Sequence, residues 1–289
     1  EGVSAYPAAV TPQMVLNFLR GGAAINVLAR QASARVVIVD VGVAADTLWR
    51  VEAVSHRDAE RRLYVHKIAP GTQNMMLGPA LTRTQAEDAI AVGLRVVEDE
   101  IAKGLDLVGT GDMGIGNTTA SAAIAAAFTG QPVARVTGRG AGVDDAGLAR
   151  KISVIERALA LNQPDPHDPL DVLSKVGGLE IAGLVGVMLG AAARRVPVVM
   201  DGFISGAAAL VAAHLAPEVR PYLIAAHRSM EVGHHVVLEH LGLRPLLDLS
   251  LRLGEGTGAA LAFHLIEAAA RILNEMATFG EAGVTNKVQ

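Results

Sequence analysis

Cysteine is absent from the chain, which rules out disulfides and any thiolate metal centre and agrees with a reducing, cytoplasmic setting. Aromatic residues make up 3% of the sequence, too few for the base-stacking surface of a single-strand nucleic-acid binder. No excess of basic charge is present either. With 25 lysines and arginines against 29 acids the net charge is −4, so nothing draws the chain to nucleic acid or an anionic membrane, and any phosphate site has to be local. A long apolar run is also missing. The longest, residues 181–193, falls short of the 18 or so residues needed to cross a bilayer and reads as a buried helix. What is abundant is small and apolar: 51% hydrophobic residues and 31 glycines in 289 positions, enough for one large α/β domain with a smaller lobe.

The stretch from Leu105 to Ala127 organises the rest. An apolar strand, Leu105 to Val108, feeds the glycine-rich turn Gly109-Thr110-Gly111-Asp112-Met113-Gly114-Ile115-Gly116, and Asn117-Thr118-Thr119 open an alanine-rich helix. Backbone N–H groups converge at such a helix start, where the dipole is positive, so the geometry suits a phosphate. Gly109, Gly111 and Gly114 match the spacing of a dinucleotide fingerprint. That fold also needs an acid about 20 residues on for the ribose hydroxyls, and the region around Ala134 has none. A triphosphate loop needs Gly-Lys before Ser or Thr, whereas Gly116 is followed by Asn117. A single-phosphate cradle remains, beside the plainer reading of a tight turn capped by Asn117 or Thr118.

Elsewhere strands alternate with helices. Residues 36–42, 65–68, 196–202, 222–226 and 246–249 read as short strands, and the alternation predicts a mainly parallel, Rossmann-like sheet in three layers. A helical lobe from residues 1–35 flanks a core of residues 36–255, and residues 256–289 form a C-terminal helix and tail. Thr11 reads as the N-cap of the first helix. Thr84 and Glu87 form a capping box for a helix to Lys103. Residues 46–62 are charged and irregular, a solvated excursion. The Gly/Ala helices of the second half are expected to lie close to the sheet, and the last helix to run from Gly258 to a stop at Gly280.

Asp40 ends its strand where ligands gather in open α/β sheets; it serves either a ligand or a loop. Phosphoribosyl diphosphate sites place two adjacent acids there, and the second is missing, so a mononucleotide fits better and no metal or cofactor is invoked. Glu255 and Glu281 stand at helix boundaries. The negative end of the last helix, with Met276 and Phe279 alongside, is expected to make Glu281 harder to ionise and so a better general base, beside the plainer reading of a solvent-exposed tail glutamate, which the residues alone favour. His227, His234, His235 and His240 read as structural.

Taken together, Gly2–Pro7, Gly21–Ile25, Gly111–Thr119, Asp144–Gly147, Asp201–Phe203, Gly254–Gly258 and Phe279–Gly283 are highly specific, and across nearly its whole length the chain resembles the nicotinate-nucleotide:dimethylbenzimidazole phosphoribosyltransferases of cobalamin nucleotide-loop assembly. The resemblance implies transfer of the phosphoribosyl group of nicotinate mononucleotide to a nitrogen of 5,6-dimethylbenzimidazole, with inversion to α-ribazole 5′-phosphate and release of nicotinate. It implies Glu281 as the base. It implies Asp112, Gly114, Gly116, Asn117, Thr118, Thr119, Lys151, Gly254, Glu255 and Gly256 around the nucleotide, and Gly22, Ala23, Gln31 and Phe279 around the benzimidazole. A homodimer is implied as well. The family commonly has glutamate at Asp112 and a serine near Ala23, and its chains carry a preceding segment whose strand would leave a sheet edge open here if absent. Two other readings are a silent nucleotide-binding homologue and a nicotinamide-dependent oxidoreductase, which the missing ribose acid disfavours.

Overall fold

The computed structural model describes residues 2–45, 62–285 and 287; the predicted excursion at 46–62 lies almost wholly outside them. Two helices come first, α1 (Val10–Arg20) and α2 (Ala24–Gln31), then the parallel pair β1 (Val37–Asp40) and β2 (Arg62–Val65), with Asp40 opposite Val65. Next come α3 (Arg83–Ile101), β3 (Val108–Gly109), α4 (Asn117–Thr129), the one-turn α5 (Val133–Val136), α6 (Asp145–Asn162) and α7 (Pro169–Val176). The last part is α8 (Leu179–Ala193), β4 (Val198–Met200), α9 (Phe203–Leu215), β5 (Leu223–Ala225), α10 (Val232–Leu241) and α11 (Thr257–Glu275).

Strands β3, β4 and β5 form a parallel sheet in that order, so the predicted α/β architecture with parallel strands and flanking helices is present. Side chains of a strand alternate between faces, and β4 uses both. Val198 and Met200 enter the main core with α8 and α9, while Val199 meets Ala259 and Ala262 of α11 on the other side. The predicted strand at 246–249 reduces to one bridge, Leu247 with His227. The strand expected at 65–68 lies earlier, at Arg62–Val65, although His66 and Ile68 still donate to the carbonyls of Asp40 and Val41.

Small residues bring helices close to the sheet, as Ala259 and Ala262 do at Val199, and also close to one another. A Cβ on Gly93 of α3 would stand 2.0 Å from the Gly183 carbonyl of α8, and one on Gly186 would stand 2.0 Å from that of Ile90, so the two helices touch backbone to backbone. Between β1 and β3 no strand of the described residues joins the two sheets. A cavity of about 870 Å³ separates them, walled by Val37, Val39, Leu107 and Val108 and floored by Val92 and Val96 of α3. None of the described helices is long and apolar enough to cross a membrane.

Two caps differ from the sequence reading. Thr82, not Thr84, caps α3: its Oγ1 accepts from Gln85 N–H at 3.1 Å while Gln85 Oε1 accepts from Thr82 N–H at 2.9 Å. The earlier box closes reciprocally and so sets the start. Thr11 lies inside α1, and its hydroxyl accepts from Ile115 N–H at 3.1 Å instead, tying the glycine turn to the N-terminal helix. α11 ends at Glu275, five residues before the predicted stop at Gly280.

Candidate active site

Two glycine turns meet at the carboxyl ends of β3 and β4. The first leaves β3 through Thr110, whose hydroxyl donates to Ser205 Oγ at 2.9 Å, and reaches α4 at Gly116. The second, Gly254-Glu255-Gly256, opens α11. Both helices start on a left-handed glycine, Gly116 at φ 95° and Gly256 at φ 91°, a backbone state that L side chains resist. A Cβ on Gly111 would stand 2.5 Å from the Glu255 carbonyl. Glycine is therefore required for the turns to abut, and they present two helix N-termini side by side.

No side chain caps α4, so Asn117 and Thr118 are not the caps of the plainer reading. Asn117 Nδ2 donates to Asp112 Oδ2 at 2.9 Å. Thr118 Oγ1 accepts from Lys151 Nζ at 2.7 Å, and the same ammonium donates to the Gly138 carbonyl at 3.2 Å. Lys151 is 1% exposed, and burial pulls its pKa down to about 8 against the pull of Glu231. Thr119 is buried with its hydroxyl unpaired among the described residues. Gly114 and Gly116 line a second cavity of about 420 Å³ together with Asn117 and Thr119. The fold thus brings a buried cation and a helix start without a side-chain cap to one place.

Acids gather on the other side. Burial pushes the Asp112 carboxyl up to about 7, aided by Asp201, Glu180 and Glu255 and opposed by the Asn117 amide. Glu255 is a non-glycine residue at φ 64°, held there while its Oε2 accepts from Ile25 N–H at 3.2 Å; its carboxyl too is raised, first by burial. That bond brings the α1–α2 turn at Gly22 and Ala23 near the site, where Ala23 N–H donates to Asn26 Oδ1 at 3.1 Å.

Asp201 and Glu180 are the acids that sequence reasoning did not select. Asp201 follows β4 directly, is fully buried and accepts from Gly256 N–H at 3.0 Å and Gly258 N–H at 2.7 Å, so it fastens the second turn. The signal for it was the one applied to Asp40, an acid ending a buried strand. Asp40 itself serves the loop: its Oδ1 accepts from Gly42 and Val43 N–H, and Lys67 stands 3.6 Å from Oδ2. His227 approaches Asp201 at 3.4 Å, and His234 Nδ1 accepts from Ser229 N–H. Burial brings the His234 pKa down to about 3, with His227 adding to the effect.

Gly22, Ala23, Thr118, Lys151 and Gly254 line neither cavity, and three further predicted residues lie exposed outside both. Gln31, at the end of α2, is exposed, as are Phe279 and Glu281 beyond α11. The Glu281 carboxyl lies below the ordinary range rather than above it, because Oε2 accepts from the backbone N–H and then the hydroxyl of Thr278, at 2.7 and 2.8 Å. Solvent and these donors outweigh the helix dipole.

A family model described as phosphoribosyltransferase matches residues 1–284. The chain is 65% identical over its full length to the nicotinate-nucleotide–dimethylbenzimidazole phosphoribosyltransferase of Roseiflexus sp. (strain RS-1), covering 79% of that protein. It is 61% identical to the protein of the same name from Geobacter sulfurreducens, with 98% of this chain and 78% of that one aligned. Among solved structures, the phosphoribosyltransferase of that name from Thermus thermophilus superposes with a TM-score of 0.90 at 49% identity, over 99% of this chain and 82% of that one.

Proposed function

Because the chain belongs to the nicotinate-nucleotide–dimethylbenzimidazole phosphoribosyltransferase family, we propose that it moves the phosphoribosyl group of nicotinate mononucleotide onto a ring nitrogen of 5,6-dimethylbenzimidazole. The products are nicotinate and α-ribazole 5′-phosphate. One observation carries the local part of the reading: the Lys151 ammonium bonded to Thr118 at the uncapped start of α4. A 5′-phosphate set there meets the positive end of the helix dipole and a desolvated cation. The ribose then projects past Gly114 toward Asp112 and Glu255.

Transfer breaks the C1′–N bond, and its electron pair leaves on the nicotinate nitrogen. A benzimidazole nitrogen supplies the pair for the new bond from the opposite face, and the N–H proton of the other nitrogen passes to Glu281. Anchoring the phosphate fixes C1′ for in-line attack. Glu281 lies far out on an exposed arm in its own chain, and the same arm exposes Leu273 (85%), Met276 (70%) and Phe279 (58%). An apolar face of this kind supports a homodimer, acting in the cytoplasm, in which the arm of one copy carries Glu281 to the other. Gln31 and Phe279 then face the acceptor base, together with the Gly22–Ala23 turn.

The test is incubation of the full-length protein with nicotinate mononucleotide and dimethylbenzimidazole, followed by chromatography. Nicotinate release that depends on the base is the expected result. Absence of release overturns the reading and leaves the silent homologue.

A further inference from the structure

Four carboxylates converge where the two glycine turns meet, and three of them have donors. Asp201 accepts from Gly256 and Gly258, Glu255 from Ile25, and Asp112 from Asn117. Glu180 is different. Among the described residues nothing but its own backbone N–H bonds its carboxylate, although burial raises its pKa and it lines both cavities. It stands in the first turn of α8, with Oε1 3.7 Å from the position a Cβ would take on Gly114.

No cation among the described residues balances this group. The smaller cavity has no lysine or arginine in its wall, and the larger has only Arg35, which is paired with Glu100 at 2.8 Å. Lys151 bonds Thr118 and Gly138 and lines neither cavity. A half-buried carboxylate without a side-chain donor or counter-ion is unfavourable, and the neighbouring Asp112, whose own carboxyl Glu180 helps to raise, makes it more so. Such a site favours a ligand that brings positive charge with it. The donor nucleotide proposed above does: its ring nitrogen is a pyridinium, and positive charge moves to C1′ as the glycosidic bond breaks.

We propose that Glu180 is a further substrate-binding residue, whose carboxylate receives the pyridinium–ribosyl end of the donor nucleotide and stabilises the positive charge that develops at C1′. The inference rests on the donor assigned under the proposed function. With the phosphate on the start of α4, the ribose passes Gly114 and reaches the Glu180 carboxylate, which takes no covalent part and exchanges no proton with the substrate. Its effect is electrostatic.

The experiment compares the full-length protein with Glu180→Gln, by titration calorimetry, on two ligands: nicotinate mononucleotide and the same nucleotide with its ring reduced, so that the ring nitrogen is neutral. The wild type should prefer the cationic form about ten- to a hundredfold, as for a charge-assisted contact. Glu180→Gln should lose that preference while binding the reduced form within about threefold of wild type, since the phosphate contacts are untouched. Retention of the preference in Glu180→Gln overturns the inference. Equal loss of both ligands also overturns it, because it assigns Glu180 to the fold. A wild type that binds both nucleotides but releases no nicotinate contradicts the proposed reaction instead, and is read separately.

Discussion

Replacing Lys151 with methionine separates what the site costs the fold from what it contributes to binding. Methionine nearly matches the lysine stem in volume and keeps the packing of α6, while removing an ammonium that is almost wholly buried. Holding the pKa at about 8 instead of 10.5 costs the folded state about 3 kcal/mol at pH 7. The unfolded chain binds more protons than the folded one between those two values. The penalty is therefore complete below pH 8, shrinks as pH rises through the window and is gone above 10.5. Against that gain stand two lost hydrogen bonds, to Thr118 and Gly138, at roughly 1 kcal/mol each. The net expectation is a variant about 1 kcal/mol more stable at pH 7, with a Tm about 2 °C higher. Function moves the other way. Loss of the cation on the 5′-phosphate should raise KM for nicotinate mononucleotide about ten- to a hundredfold. The wild-type KM should itself climb above pH 8 as the ammonium deprotonates, and the Lys151→Met profile should stay flat there. Calorimetric melts across pH and steady-state nicotinate release measure both sides. A variant that loses several kcal/mol of stability yet keeps its KM would show Lys151 to be a structural anchor and refute the phosphate assignment.

Three further expectations follow from the same geometry. Glu281→Gln should lower kcat by about a hundredfold or more with KM for the nucleotide little changed; mixed with Lys151→Met under subunit exchange it should recover about a quarter of wild-type turnover at limiting nucleotide, because each hybrid dimer then contains one intact site. No recovery means that Glu281 serves its own chain. Asp112→Asn should gain stability over wild type of about 4 kcal/mol at pH 8 and nothing below pH 4, since the raised Asp112 carboxyl costs the fold progressively as pH climbs from 3.8 to about 7; a difference that does not vary with pH refutes it. Gly111→Ala puts a methyl 2.5 Å from the Glu255 carbonyl and should cost about 1–3 kcal/mol in denaturant titrations while parting the two turns; an unchanged midpoint contradicts the packing.

The glycine turn was legible because its signal is local. Glycine spacing, an apolar strand ahead and an alanine-rich run behind fix a strand, turn and helix without reference to the rest of the chain. The parallel strands were legible for a similar reason: β-branched runs ending in an acid recur between helical patterns. Pairings across the fold were not. Lys151 meets Thr118 across 33 residues and Glu255 meets Ile25 across 230, and neither spacing carries a periodicity. Asp40 and Asp201 end buried strands in similar sequence settings, yet one holds its own loop and the other holds the turn of a distant helix. Only the neighbours decide. Glu281 was misjudged for the same reason: its position after a helix suggested a raised pKa, whereas Thr278, three residues away, lowers it by bonding the charged form. The capping of α3 shows the limit on a smaller scale, since Thr82 with Gln85 and Thr84 with Glu87 offer two boxes and the structure closes the first.

The central claim is that the site transfers the phosphoribosyl group instead of hydrolysing the nucleotide. It is tested most directly by following the reaction of the full-length protein with nicotinate mononucleotide and dimethylbenzimidazole by proton NMR, counting products and reading the configuration at C1′. One nicotinate should be released for each ribosylated benzimidazole formed, all of the latter in the α configuration. Free ribose 5-phosphate as the main product, or a β-configured nucleotide, would contradict it.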